Sequence, residues 1–259
     1  MKTILYTGAT SGIAKNVIKK IKNKYIIYVG VHTKKQKEIL SNRYKQEKNI
    51  KVIKLDLLNK KDIEQIKQLD IDILISNAAI NLGGSLTEIN INKLKQVYEI
   101  NVFKNLELIQ IVLKNMIKKN SGKIIIMSSL SGIMPLKFTG SYSSTKASLI
   151  NIAQTLKKEL KELNTNIKIK LIEPGMYKTG FNQLMIEDKY EWMKEKSYFK
   201  EELEKIKKKE NIFLKIIEYK KTETITKQII NAIKKDNKFI YSAPIEQRLL
   251  AKIYSLFNS

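Results

Sequence analysis

Lys2-Thr3-Ile4-Leu5-Tyr6-Thr7-Gly8-Ala9-Thr10-Ser11-Gly12-Ile13-Ala14 joins an apolar run, a turn with two glycines and the start of a polar, periodic segment. The apolar run reads as a strand buried on both faces, and the segment over about residues 12–23 as a helix. Glycines let the backbone turn tightly and come close to a ligand. A helix start offers unpaired N–H groups and a partial positive charge. Strand, glycine turn and helix in this order suit a bound pyrophosphate, although such a turn by itself can be merely structural.

Outward from this stretch the alternation continues. Tyr25–Val31, Ile50–Leu55, Ile71–Ser76, Lys123–Met127, Ile167–Ile172 and Lys238–Ser242 predict six more strands. Helices are expected over Lys34–Glu47, Lys60 to Leu69, Asn92 to Lys119 and Tyr142–Leu163, and from Pro244 onward, where proline suits a first helical turn. Short apolar strands separated by helices imply an α/β doubly wound parallel sheet of about seven strands with helices on both faces. Such sheets bind ligands at the carboxyl ends of their strands. With no repeat or linker to divide it, the chain of residues 1–259 is expected to form one domain.

Composition removes several classes of function. There is no cysteine, which excludes a disulfide scaffold, a thiolate metal site and a cysteine nucleophile. The single histidine, His32, leaves no material for a histidine metal cluster or a histidine-based triad. No apolar run approaches the roughly 18 residues of a membrane span, and residues 1–6 lack a signal-peptide layout, so the expected location is cytoplasmic. The formal charge of +24 raises the question of nucleic acid. Arg43 and Arg248 are the sole arginines among 49 basic residues, whereas base reading and phosphate clamping favour the arginine fork. The lysines are spread along every helix and accompany equal excesses of Ile and Asn, which is a compositional bias. No specific nucleic-acid partner is expected, only salt-sensitive attraction to polyanions.

Ser129 is followed thirteen residues later by Tyr142 and, four after that, by Lys146. Residues four apart on a helix share a face. A free phenol with a pKa near 10 is a poor acid–base group at neutral pH, and a neighbouring ammonium favours the phenolate. Lys146 is thus expected to lower the pKa of Tyr142, and Ser129 to hold a substrate oxygen.

Together these stretches resemble the short-chain dehydrogenase/reductase family over nearly the whole chain. Thr7 to Ala14 match its Thr-Gly-x-x-x-Gly-x-Gly turn, with Ala14 for the last glycine. Ser76-Asn77-Ala78-Ala79 matches its Asn-Asn-Ala-Gly, with serine and alanine at the ends. Asn101, Ser129, Tyr142 and Lys146 match its catalytic asparagine, serine, tyrosine and lysine, and Pro174-Gly175 with Thr179 its turn after the sixth strand. The resemblance implies a nicotinamide-dependent oxidoreductase acting on a carbonyl or alcohol. Tyr142 would be the general acid–base and Ser129 would orient the carbonyl. Lys146 would bind the nicotinamide ribose and tune Tyr142, Asn101 would hold a water in a proton relay, and Thr179 would bond the carboxamide. Gly8, Thr10, Ser11, Gly12, Ile13, Asn77, Ala78, Pro174 and Gly175 would line the cofactor, with Asp56 at the adenine. Relatives commonly pair through the helices near 92–119 and 142–163, so a homodimer or homotetramer is implied.

An NAD site needs a carboxylate after the second strand, and an NADP site cations. Val29-Gly30-Val31-His32-Thr33-Lys34-Lys35 holds no acid, and His32, Lys34 and Lys35 are cationic or able to become so. NADP(H) is expected over NAD(H). Residues 176–221 fall where the family keeps its substrate lid and hold Tyr177, Phe181, Leu184, Met185, Tyr190, Trp192, Met193, Tyr198 and Phe199. These either hint at an apolar substrate or simply pack the lid. The last helix carries Leu249, Leu250, Ile253, Leu256 and Phe257 on one side, for core packing, subunit contact or an anionic membrane surface. Fold does not dictate function, so a dinucleotide-binding sensor or scaffold without turnover is the alternative.

Overall fold

The structure, a computed structural model, describes residues 1–257 except the side chains of Leu184 and Met185, so that part of the expected apolar lid lies outside the described residues. Seven strands form one parallel sheet: β1 (Thr3–Tyr6), β2 (Ile26–Val31), β3 (Ile50–Lys54), β4 (Ile73–Ser76), β5 (Lys123–Met127), β6 (Lys168–Pro174) and β7 (Ile240–Ala243). Their order is β3-β2-β1-β4-β5-β6-β7. The order reverses between β1 and β4, which opens a crevice at the carboxyl ends of these two strands.

Side chains alternate across a strand, and here both faces are covered. Ile4, Tyr6, Ile73, Ile75 and Ile125 join one core with helices α1 (Gly12–Ile21) and α9 (Glu223–Lys234). Leu5, Leu74, Ile124, Ile126 and Leu171 join the other, with α5 (Asn105–Lys118) and α6 (Gly140–Glu162). This is why the strands read as unbroken apolar runs. Each such side chain contributes about 1.5–3 kcal/mol on burial. Ser11 caps α1, and a reciprocal pair, Thr33 with Gln36, caps α2 (Lys34–Arg43).

Two expectations are revised. The helix expected over 92–119 is three pieces: α4 (Ile91–Tyr98), a π-helical stretch Glu99–Lys104, and α5. One inserted residue leaves the apolar stripe on either side intact, so periodicity does not reveal it. The helix expected over Lys60–Leu69 is α3 (Lys60–Glu64) continued as a 3₁₀ turn, Gln65–Gln68. In the polar and aromatic stretch lie α7 (Phe181–Lys196), α8 (Leu203–Ile217) and α9. The chain closes with α10 (Ile245–Phe257) after a cis Ala243–Pro244 bond. Among the described residues no helix is long and apolar enough to cross a membrane.

Residues 176–219 leave the sheet and return to it beside themselves. Tyr177 and Tyr219 form a parallel bridge, the Tyr219 N–H donates to Met176 O at 3.0 Å, and the Lys178 N–H donates to Tyr219 O at 3.0 Å. Between these ends α7 and α8 share a small core of their own, built on Ile186, Tyr190, Met193, Leu203 and Leu214. Lys189 is 0% exposed, and its ammonium is bonded to Glu210, which also accepts from Tyr190 Oη at 2.8 Å. Desolvation holds the Lys189 pKa down and Glu210 opposes that. Removing one partner of a buried pair strands the other charge, whereas replacing both with apolar groups does not. Glu210→Leu is expected to cost about 3–5 kcal/mol in the α7–α8 unit, read as faster amide exchange over 181–217, and Lys189→Met/Glu210→Leu to recover most of it. Equal exchange in the single and double variants would sink this account.

Candidate active site

The carboxyl ends of the strands open into a cavity of about 1100 Å³. Its first wall is the glycine turn, held by hydrogen bonds to the exit of β4. Thr7 Oγ1 accepts the N–H groups of Asn77 and Ala78, both at 2.9 Å. Asn77 Nδ2 returns two bonds, to Thr7 O and Gly8 O, both at 3.0 Å. Gly8 sits at φ +59°, and a Cβ there would lie 2.8 Å from Ala78 Cα, so both conformation and space require glycine. At the helix start Ser11 Oγ accepts the Ala14 N–H at 3.1 Å. The N–H groups of Gly12 and Ile13 have no carbonyl inside the helix to bond, and no acid sits in that first turn. Such a helix start favours an anion. Ala14 is fully buried in the α1 core, so its departure from glycine adds a methyl to the core and not to the cavity.

A polar seam carries this order to α6. Ser76 Oγ donates to Asn105 Oδ1 at 2.6 Å, and Asn105 Nδ2 donates to Ala78 O at 2.9 Å and Ile100 O at 2.8 Å. Asn101, at the π-helical stretch, accepts the Ile80 N–H at 2.8 Å and donates to Ile80 O at 2.9 Å and Thr145 Oγ1 at 3.2 Å. Asn101 is 0% exposed. Its amide holds Ile80 and α6 from behind the wall, so it touches the site through those neighbours.

At the end of β5, Ser129 Oγ donates to Pro174 O at 3.3 Å and lies near enough to the Tyr142 phenol to favour its charged form. Lys146 Nζ donates to Met127 O at 2.9 Å and lies 5.4 Å from the Tyr142 ring centre. Ser128 Oγ donates to Lys146 O at 2.8 Å and fixes α6 to β5. The expected electrostatics of this pair are revised. Burial, opposed by the Ser129 hydroxyl, raises the Tyr142 pKa above the usual phenol range, and burial alone pushes Lys146 down to about 7. Desolvation disfavours both charged forms and outweighs the attraction of an ammonium for a phenolate.

The expected residues Gly8, Thr10, Ser11, Ile13, His32, Asp56, Asn77, Ala78, Ser129, Tyr142, Lys146, Pro174, Gly175 and Thr179 line this one cavity. Gly12, Lys34 and Asn101 do not reach its wall. His32 Nε2 stands 3.5 Å from Asp56 Oδ2, and Gln36, absent from the sequence reading, lines the cavity beside them. Gln247 was also missed. Its Oε1 accepts the Met176 N–H at 2.7 Å and its Nε2 donates to Ile217 O at 2.8 Å, which ties both ends of the lid to α10. Flanked by Glu246 and Arg248, Gln247 gave no signal in the sequence; for Asn105 the i, i+4 spacing from Asn101 was available. Two buried polar atoms on the wall, Asn81 Oδ1 and Ser131 Oγ, have no hydrogen-bond partner in the protein. Buried polar groups are paired in folded proteins, so this wall is matched to a polar ligand. Among the described residues no group of His, Asp and Glu could hold a metal.

A family model described as short chain dehydrogenase matches residues 2–189. An uncharacterized oxidoreductase of Staphylococcus epidermidis is 31% identical over 192 residues, 70% of this chain and 80% of that protein. One from Staphylococcus aureus strain MW2 is 28% identical over 187 residues, 69% and 79% of the two chains. Among solved structures, a short chain dehydrogenase/reductase from Burkholderia phymatum in complex with NAD has a TM-score of 0.81 at 15% identity, covering 97% of this chain and 92% of that one. A short-chain dehydrogenase from Sphingobium yanoikuyae in complex with NADPH has a TM-score of 0.75 at 17% identity, covering 100% and 96%. At these identities the two structures show the fold alone.

The Lys146 shift predicts a pH-dependent cost. An unfolded lysine binds its proton up to about pH 10.5 and the folded one only up to about 7, so the unfolded state holds more protons between those values. Stability therefore rises with pH across that window, and the cost of burying Lys146 is largest at pH 7 and below. Lys146→Met is expected to be more stable than the parent by roughly 3–5 kcal/mol at pH 7, with the advantage gone by about pH 10.5. Denaturant melts at several pH values check this; a constant difference between the two proteins would refute it.

Proposed function

Because the chain belongs to the short-chain dehydrogenase family, we propose that it is an oxidoreductase moving a hydride between NADP(H) and a carbonyl or alcohol, with Tyr142 as general acid–base. The observation that carries this reading is the junction of Ser129, Tyr142 and Lys146 on the wall that the glycine turn also lines.

A bound nicotinamide supplies or accepts the hydride. Gly8, Thr10, Ser11 and Ile13 would hold the pyrophosphate, His32 and Asp56 would face the adenosine, and Pro174, Gly175 and Thr179 the nicotinamide, with Asn77 and Ala78 between. Ser129 Oγ and Tyr142 Oη, side by side on the wall, would both bond the substrate oxygen. Burial keeps Tyr142 a neutral phenol, so in reduction it donates its proton to that oxygen. The phenolate left behind favours the charged form of Lys146, whose pKa of about 7 lets it take up a proton from solvent at neutral pH. The step then leaves a phenolate beside an ammonium, and no net charge stays buried. Oxidation of an alcohol runs the same transfers in reverse.

Preference for NADP(H) rests on the end of β2. The chain that follows β2 supplies no carboxylate to bond a ribose 2′-hydroxyl, and no acid lies in the first turn of α2; the carboxylate beside His32, Asp56, comes from the end of β3. His32, Lys34 and Lys35 are exposed around it, where a 2′-phosphate would be drawn.

Fluorescence titration is expected to show NADPH binding at least about tenfold tighter than NADH, a difference of roughly 1.4 kcal/mol. Tighter NADH would remove the NADP assignment and leave the oxidoreductase reading in place. Tyr142→Phe is expected to lower kcat by about 10²–10⁴-fold with the NADPH Kd within about twofold of the parent. A variant that keeps more than a tenth of kcat would exclude Tyr142 as the acid–base.

A further inference from the structure

The sheet order divides the cavity in two. The ends of β1, β2 and β3 form one half, with the glycine turn, His32 and Asp56; the ends of β5, β6 and β7 form the other, with the lid and α10. Among the described lining residues the ionisable Asp, His and Lys side chains are His32 and Asp56 in the first half and Lys146 at the junction. The second half has none, in a chain of which 29% is charged.

Several polar side chains of that half are already engaged by the protein, while Ser131 Oγ, just after β5, has no partner there. Gln247 is spent on Met176 and Ile217. Asn182 Nδ2 donates to Glu218 Oε1 at 2.7 Å, Tyr177 Oη bonds Thr224 at 2.7 Å, and Thr139 Oγ1 bonds Leu136 O at 2.8 Å. What faces the space beyond Tyr142 is apolar. Phe181 stands edge-on to the Tyr142 ring with centres 5.6 Å apart, and Met134, Phe213, Ile217, Leu250 and Ile253 extend the lining outward. The apolar character continues past the rim, where Ile216 and Leu249 are 79% and 59% exposed.

We infer that the substrate is an uncharged, extended, lipophilic carbonyl or alcohol whose reacting oxygen lies at Ser129 and Tyr142 and whose tail runs out between α8 and α10. A carboxylate or phosphate on that tail would lose its water and meet no cation among Met134, Phe181, Phe213, Ile217, Leu250 and Ile253, which is costly, whereas each methylene buried there adds affinity. The inference rests on the oxidoreductase reading for the position of the reacting oxygen and on the lining alone for the tail.

The test uses the full chain with whichever of NADPH or NADH it binds, and kcat/KM for 2-butanone, 2-hexanone, 2-octanone, 2-decanone and 9-oxodecanoate. At about fourfold per buried methylene the neutral series is expected to climb at least tenfold from 2-hexanone to 2-decanone. The acid 9-oxodecanoate is expected at least tenfold below 2-decanone. Leu250→Lys, which adds a cation at the mouth, is expected to raise 9-oxodecanoate relative to 2-decanone by about tenfold. A flat series, an acid used as well as the ketone, or a ratio unmoved by Leu250→Lys would overturn the inference while the oxidoreductase reading survives. If no carbonyl is reduced, that reading fails instead, and calorimetric binding of 1-decanol against decanoate decides the lining: weaker decanoate by tenfold or more upholds it, and equal or tighter decanoate overturns it.

Discussion

The hydroxyl of Thr7 is the point from which the site is built. It accepts two backbone N–H groups from the exit of β4, and Asn77 returns two bonds to the backbone of Thr7 and Gly8. Parallel strands hydrogen-bond only along their length, so nothing in the sheet itself fixes the loops past the carboxyl ends. This four-bond clasp does. It sets the glycine turn against the β4 exit, the β4 exit is held in turn by Asn105 and Asn101, and Asn101 reaches Thr145, the neighbour of Lys146. The glycine-turn end and the Tyr142–Lys146 end of the cavity are thereby tied together by buried hydrogen bonds. In a low-dielectric interior each of these bonds is costly to leave unmade, which is what makes the placement rigid.

The same low dielectric governs the chemistry. Read as exposed groups, Tyr142 and Lys146 would be a phenol acidified by an ammonium. Enclosed between α6, β5 and Phe181, each is pushed toward its uncharged form. Desolvation acts on every group separately, whereas the pairwise attraction exists only when both are charged. Under the proposed reading the pair would move a proton when charge develops on a bound oxygen, and not before. The buried lysine costs stability at neutral pH, as strained or desolvated groups at active sites commonly do.

The contrast between the halves of the cavity follows from topology. Strands β1 to β3 deliver loops that end on helix starts, where N–H groups and polar side chains cluster. Strands β5 to β7 deliver the lid and α10, which carry their own apolar core and use their polar groups to hold one another. One half thus presents donors, and the other presents hydrocarbon.

The sequence by itself determined the sheet and much of the site. Buried parallel strands must be apolar throughout, glycine must stand where φ is positive and backbone is close, and Tyr142 with Lys146 must share a helix face. Each is a local demand that a short stretch such as Lys2 to Ala14 shows directly. It did not show the π-helical insertion at Glu99–Lys104, because the apolar stripes flanking it stay in phase with their own helices. It also missed α9, although Ile225, Ile229, Ala232 and Ile233 carry its spacing. The roles of Asn105 and Gln247, the withdrawal of Gly12, Lys34 and Asn101 from the wall, and the inverted electrostatics of Tyr142 and Lys146 were decided by tertiary structure alone. Burial and hydrogen-bond partners are set by residues far apart in the chain, such as Gln247 and Met176, 71 positions apart, and no local pattern encodes how far the chain folds water away from a side chain.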